Sequence, residues 1–232
     1  AEAERHEGLR LIPGIEISAD HPSEDDTDIH VLGYFIDRSD ASLQDSLGRF
    51  REDRDIRGQL MVEKLSNQGY HVDWERVKEI AGEAGIGRPH LARAMFERGY
   101  ISDVSQAFDG ILNDGGSAFV DRPHITLDDA VRMIRSVGGV AVLAHPVYVR
   151  NYEALLPKLA GIGIAGFEVH YAQFTADQRR NLTDLAERYG MLPCGGSDYH
   201  ATGRQDEILP GTVGPTVEVL EALERLARHP SS

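Results

Sequence analysis

The sequence predicts a mixed α/β fold: a parallel sheet or barrel of strand–helix units, interrupted by an all-helical insertion. Three observations carry this. After residue 122, short apolar runs alternate with helical patterns, as in Val140–Ala144 then Tyr152–Ala160, and Gly166–Val169 then Ala176–Tyr189. Such alternation with short turns is the signature of strand–helix units. From Ser42 to about Ala118 no strand pattern occurs, and Leu43, Leu47, Phe50, Ile56, Leu60, Met61 and Leu65 recur at helical spacing. Near the start, two strand patterns, Leu9–Ser18 and Asp28–Phe35, lie too close together for a crossover helix and are expected to pair antiparallel.

Taken in order, Ala1–Glu7 read as the end of a helix with Gly8 as its C-cap, but no N-cap or first turn precedes them. The chain is therefore expected to begin partway through a domain. An acidic, polar loop occupies residues 20–28. Within the insertion, Asn67–Tyr70 turns the chain, Asp73 caps a helix over Trp74–Ala81, and Gly85–Pro89 forms a second turn. Helices are expected over His90–Arg98 and Ser102–Leu112, the latter followed by an Asp114-Gly115-Gly116 loop. Thr126 caps Leu127–Val137, with Asp128 and Asp129 in the first turn. Met191–Gly196 is a strand end, and Leu220–Ala227 a closing helix. The predicted division is 1–36, 37–122 and 123–232, the middle segment being the insertion.

Composition narrows the function. Hydrophobic residues make up 41% of the 232 residues and charged residues 27%, a globular balance that excludes disorder. No apolar run could span a bilayer, and the polar N-terminus predicts no signal peptide, so no membrane partner is expected. Cys194 is the only cysteine, which excludes an internal disulfide and fits a cytoplasmic location. The net charge of −14 repels nucleic-acid backbones and speaks against duplex DNA as a partner. It leaves a phosphorylated substrate open, because bound divalent ions would invert the local charge.

Polar residues at strand ends carry the chemistry. Glu16 lies in Pro-Gly-Ile-Glu-Ile-Ser, His30 in Ile-His-Val-Leu-Gly-Tyr, His145 in Ala-Val-Leu-Ala-His-Pro, and Asp198 with His200 in Gly-Gly-Ser-Asp-Tyr-His. In α/β sheets and barrels, ligands bind at the ends of strands. Asp198 and His200, two apart in an extended segment, point the same way. A carboxylate beside an imidazole suits zinc, manganese or iron, and Glu16 has two oxygens with which to bridge two ions. A single buried histidine on a strand is more often a hydrogen-bonded core residue; five such residues at strand ends favour a metal centre. Glu168 and His170, in Gly-Phe-Glu-Val-His-Tyr, are further strand-end candidates, with Glu168 pointing inward. His21, His71, His124 and His229 are expected to be solvated, and Arg51, Arg54 and Arg57 to form a salt-bridged helix face.

These segments, together with Gly87-Arg88-Pro89-His90 in the insertion and Gly-Gly-Val-Ala-Val-Leu-Ala-His-Pro, resemble in order the PHP (polymerase and histidinol phosphatase) superfamily. The branch with a Gly-Arg-Pro-His insertion includes 3′,5′-nucleoside bisphosphate phosphatases and enzymes that trim RNA from the 5′ end. The resemblance implies a distorted (β/α)7 barrel holding up to three divalent ions. It further implies that Glu16 bridges two of them, His30 and His145 serve one, Asp198 its neighbour, and His200 the third. Arg88 and His90 would contact the phosphate as catalytic and substrate-binding residues, and Glu168 would line the same site. The family's His-x-His strand, the following Asp and the Thr-Asp-His-Asp segment are not found in this sequence, and Gly115-Gly116-Ser117 stands where the family often has a basic residue and a proline. The expectation is a metal-dependent phosphoesterase acting on small nucleotides or short RNA 5′ ends. The alternatives are a non-catalytic metal-binding or regulatory PHP fragment, and another phosphoesterase role such as histidinol phosphatase, against which the Gly-Arg-Pro-His insertion argues.

Overall fold

A computed structural model describes residues 5–6, 8–20, 28–82, 85–121, 123–200 and 207–228. These residues form a mixed α/β structure with seven α-helices and one five-stranded sheet. Contacts divide the chain into two compact units, Ala1–Asp40 with Ile125–Ser232, and Ala41–His124.

The first unit holds the sheet. β1 (Gly14–Asp20) and β2 (Asp28–Tyr34) pair antiparallel, with Glu16 opposite Leu32 and Ser18 opposite His30. The strand expected from Leu9 starts only after Pro13, which has no N–H to give to a ladder. β3 (Val140–Leu143), fully buried, pairs antiparallel with β2. β4 (Ile164–Tyr171) and β5 (Leu192–Gly196) then add in parallel, each entered through a helix. The order is β1-β2-β3-β4-β5, so the sheet is half antiparallel, and among the described residues it stays open and closes no barrel.

The helices of this unit follow the sequence closely. α4 (Leu127–Ser136) starts where Thr126 Oγ1 accepts the Asp129 N–H at 3.1 Å, and it buries Leu127, Ala130, Val131 and Ile134 on one face. Gly33 admits that face: a Cβ there would meet Ile134 Cγ1 at 2.8 Å. α5 (Tyr152–Ile162) links β3 to β4. α6 (Ala176–Tyr189) links β4 to β5, with a Thr175–Gln178 capping box at its start and Gly190 at φ 63° at its end. α7 (Val217–Arg228) is longer than its predicted span, and its Val219 and Leu223 pack with Val140, Val142 and Cys194.

The second unit is helical. It comprises α1 (Ala41–Asn67), α2 (Trp74–Ala81, capped by Asp73) and α3 (Arg88–Glu97) around a core that includes Met61, Leu65, Val77, Leu91, Met95 and Leu112. Two expectations are corrected here. The helix expected from His90 begins at Arg88, because Gly87 is the N-cap and Pro89 fits a first turn that needs no N–H. The helix expected over Ser102–Leu112 is only a short 3-10 turn, Val104–Phe108. Asp103 takes the Ser105 N–H at 2.8 Å, and Gly110 turns the chain at φ 99°; local side-chain bonds of this kind compete with helix propagation. Arg57, expected on a salt-bridged face, is part-buried and donates to the Val120 carbonyl at 2.6 Å. The predicted helix end at Ala1–Glu7 lies mostly outside the described residues, as do His21, His229 and residues 21–27 of the acidic loop. No helix among the described residues is long and apolar enough to cross a membrane.

Candidate metal centre

Three neighbouring strands assemble the centre. Glu16 sits in β1 and His30 in β2. Past the end of β3, the Ala144 N–H donates to the His30 carbonyl at 2.9 Å, which delivers His145 beside His30. The two imidazole rings lie 5.0 Å apart, edge to face. His30 Nδ1 is 2.7 Å and His145 Nε2 3.8 Å from the same oxygen, Glu16 Oε1. Asp198 and His200 follow β5. Glu16 with His30 and His145, and Glu16 with Asp198 and His200, form two groups, in each of which one ligand atom per residue lies within 4.8 Å of the others. Glu16 belongs to both.

The electrostatics suit a cation. The imidazoles of His145 and His30 hold the Glu16 carboxyl far below its ordinary 4.5, so it stays ionised. Burial pulls His145 toward the neutral form, but Glu16, Glu168 and Asp198 outweigh it and raise its pKa above 6.5. His200 is raised as well, chiefly by the Asp198 carbonyl, which its Nδ1 meets at 2.8 Å. Two buried ring nitrogens, His30 Nδ1 and His145 Nδ1, have no hydrogen-bond partner; His30 Nδ1 is close to Glu16 but not aligned for a bond. A buried nitrogen without a partner costs about 1–3 kcal/mol. A metal ion would satisfy one where no protein donor does, so the residues present fit a divalent ion.

Both loops that present candidate ligands are strained. His145 has φ 26° and Asp198 φ 51°, the left-handed region that side chains seldom enter. Such conformations persist only where the surroundings hold them. The His145 N–H donates to Glu168 Oε2 at 2.8 Å. The Tyr171 hydroxyl donates to Asp198 Oδ2 at 2.8 Å. Glu168 is 5% exposed, and burial pushes its carboxyl to about 7. Burial, then the bond to Asp198, raises the Tyr171 phenol far above 10, so it remains a donor. Tyr171 packs on Phe174, with Tyr148 against both.

Glu168 therefore faces the centre, as the strand pattern implies, but its Oε2 is taken by the His145 backbone. Tyr171 escapes the sequence pattern. Three residues after Glu168, it would point to the opposite face of a regular strand. The ladder between β4 and β5 shifts register between Glu168 and His170, and this bulge lets Glu168 and Tyr171 both reach candidate ligands. Arg88 and His90 belong to the helical unit and have partners there. Arg88 donates to Asp114 Oδ1 at 2.7 Å and to the Leu112 carbonyl at 3.2 Å, with its guanidinium 5.5 Å from the Phe119 ring centroid. His90 Nδ1 accepts the Gly87 N–H at 3.0 Å.

No family model matches the chain. A phosphoribosyl 1,2-cyclic phosphate 1,2-diphosphodiesterase of Eggerthella lenta is 32% identical over 196 residues, spanning 83% of this chain and 74% of that protein. A 5′-3′ exoribonuclease of Salmonella typhimurium is 30% identical over 196 residues, 83% of this chain and 66% of that protein. A 3′,5′-nucleoside bisphosphate phosphatase of Chromobacterium violaceum is 28% identical over 233 residues, 96% of this chain and 81% of that protein. A solved structure from Bifidobacterium adolescentis, described as a metal-dependent phosphoesterase, superposes with a TM-score of 0.80 at 27% identity, covering 99% of this chain and 80% of that one. On this similarity the chain belongs to the PHP-type phosphoesterase family.

Proposed function

We propose that this chain hydrolyses phosphomonoesters of small nucleotides, such as 3′,5′-nucleoside bisphosphates, with the 5′ ends of short RNA as longer substrates for the same chemistry. The observation that carries the reading is the sharing of Glu16 between two three-residue ligand groups, which suits paired ions on one phosphate. Divalent ions held there would polarise the phosphate oxygens and make a bound water acidic. Manganese, zinc and iron all suit this nitrogen and oxygen set, with up to three ions by the family resemblance.

The protein's own contributions follow from the geometry and the resemblance. Glu16, ionised across the working pH range, supplies the shared negative charge. His30 and His145 serve one position, and Asp198 and His200 the adjoining ones. Arg88, whose planar fork matches phosphate oxygens, and His90 are assigned to the substrate phosphate by the resemblance. Cys194 is no rival nucleophile, because burial and then Glu168 push its thiol to about 12. Direct attack of water on phosphorus, with no covalent enzyme intermediate, fits this residue set. The open sheet is read as part of the family's (β/α)7 barrel, and 37–122 as its insertion. The charge of −14 favours a small nucleotide over long RNA.

The test is release of inorganic phosphate from adenosine 3′,5′-bisphosphate by manganese-loaded protein. His145→Ala should abolish it and leave the circular dichroism unchanged. Full activity in that variant would refute the site. Metal binding without phosphate release from any nucleotide would favour a metal-binding module instead.

A further inference from the structure

We propose that Glu168 and Tyr171 are positioning residues: from the single strand β4 they hold candidate ligands of two different metal positions, His145 through its backbone N–H and Asp198 through its side-chain carboxylate. The inference rests on the metal-binding reading above.

β4 supplies no residue to either three-residue ligand group. It lies between β3 and β5, whose C-terminal ends lead into His145 and Asp198. Glu168 is the only buried charged side chain among the described residues. A carboxylate is costly to bury unless something specific holds it. The partner here is a backbone N–H, that of His145, at 2.8 Å, and this is the residue at φ 26° that Pro146 follows. The bond fixes where the imidazole starts from and leaves the ring nitrogens open to a ligand.

Tyr171 does the corresponding task on the other side. Its hydroxyl takes one Asp198 oxygen, Oδ2, and leaves Oδ1 for a cation. Its ring, 5% exposed, is fixed by Phe174 at 4.8 Å between centroids, so the hydroxyl has little freedom to move. The register shift between Glu168 and His170 makes the pair possible, because it puts two residues an odd number apart to the same use. One strand thereby sets the spacing of both metal positions around Glu16. Partners that orient ligands in this way commonly govern metal affinity by 10–100-fold.

The experiment is calorimetric titration of the full chain with Mn²⁺ for wild type, Glu168→Gln, Glu168→Leu and Tyr171→Phe, together with hydrogen exchange of the His145 amide in metal-free protein. Glutamine keeps an acceptor for the His145 N–H but no charge. Glu168→Gln should therefore retain wild-type affinity within about threefold and keep the amide protected, while Glu168→Leu should lose about 10–100-fold and the protection. Tyr171→Phe should weaken the Asp198 position by about tenfold and leave the His30–His145 position unchanged. Glutamine as damaging as leucine would make the charge itself the requirement, and positioning would be wrong. Wild-type affinity in Glu168→Leu, or in Tyr171→Phe, would also overturn it. If leucine prevents folding, the Glu168→Gln and Tyr171→Phe results decide. Wild type that binds no Mn²⁺ would instead sink the metal reading and the inference with it.

Discussion

Proton competition at His145 gives a test of the metal centre that needs no substrate. A metal takes a neutral imidazole, so each protonated ligand must first lose its proton. The carboxylates of Glu16, Glu168 and Asp198 raise the pKa of His145 above 6.5. Affinity should then fall about tenfold per pH unit below that raised value, or about 1.4 kcal/mol for each proton displaced. At a hundredfold excess of manganese over Kd, binding stabilises the protein by about 2.7 kcal/mol, a Tm rise of roughly 5–10 °C for this chain length. One pH unit of competition should remove about half of that rise.

The metal-free protein should show the opposite trend. His145, with a folded pKa above its unfolded value, contributes stability that is fully present below 6.5 and is lost as the pH rises through the raised value. Glu168 has the same sign: its folded carboxyl, at about 7, lies above its unfolded 4.5, so its contribution is lost as the pH rises through 7. Scanning fluorimetry from about pH 6 to 8, with and without manganese, should give two curves that diverge as the pH rises. A metal-induced Tm rise that is constant across this range would refute an imidazole ligand with a raised pKa.

Other outcomes follow from single contacts. Thr126→Ala removes the cap that accepts the Asp129 N–H and should cost about 1 kcal/mol in urea unfolding. Gly166→Ala would drive a Cβ into the Leu192 carbonyl and against Cys194 Sγ at 3.1 Å, opening the β4–β5 ladder; it should destabilise by about 2 kcal/mol or more by the same measurement. Arg88→Lys keeps the charge but loses the planar guanidinium, whose Nη1 donates to Asp114 and to the Leu112 carbonyl. It should raise KM for a nucleotide phosphate by about tenfold in a steady-state assay, with stability little changed.

Local chemistry made much of the fold legible. Asp73 and Thr126 announce their helices because a cap bonds within three residues, and α6 runs over the span its apolar spacing marks. The Ser102–Leu112 segment misled because its apolar residues keep helical spacing, while Asp103 and Gly110 bend the backbone elsewhere. The candidate ligands were legible as residue types, since a histidine or carboxylate at the end of an apolar strand stands out. Arg88 and His90 were legible only through their motif.

By itself, then, the sequence determined the α/β character, the strand-free helical stretch and the capped helices, and it picked out Glu16, His30, His145, Asp198 and His200 as candidate ligands, because each leaves a mark within a few neighbouring residues. Only the tertiary structure decided that β3 joins β2 antiparallel and that His145 and Asp198 adopt left-handed backbones. It alone paired Glu168 with His145 and Tyr171 with Asp198, across 23 and 27 residues of chain. Bonds of that range are set by strand order and by one bulge in β4, and neither leaves a periodic trace in the residues that depend on it.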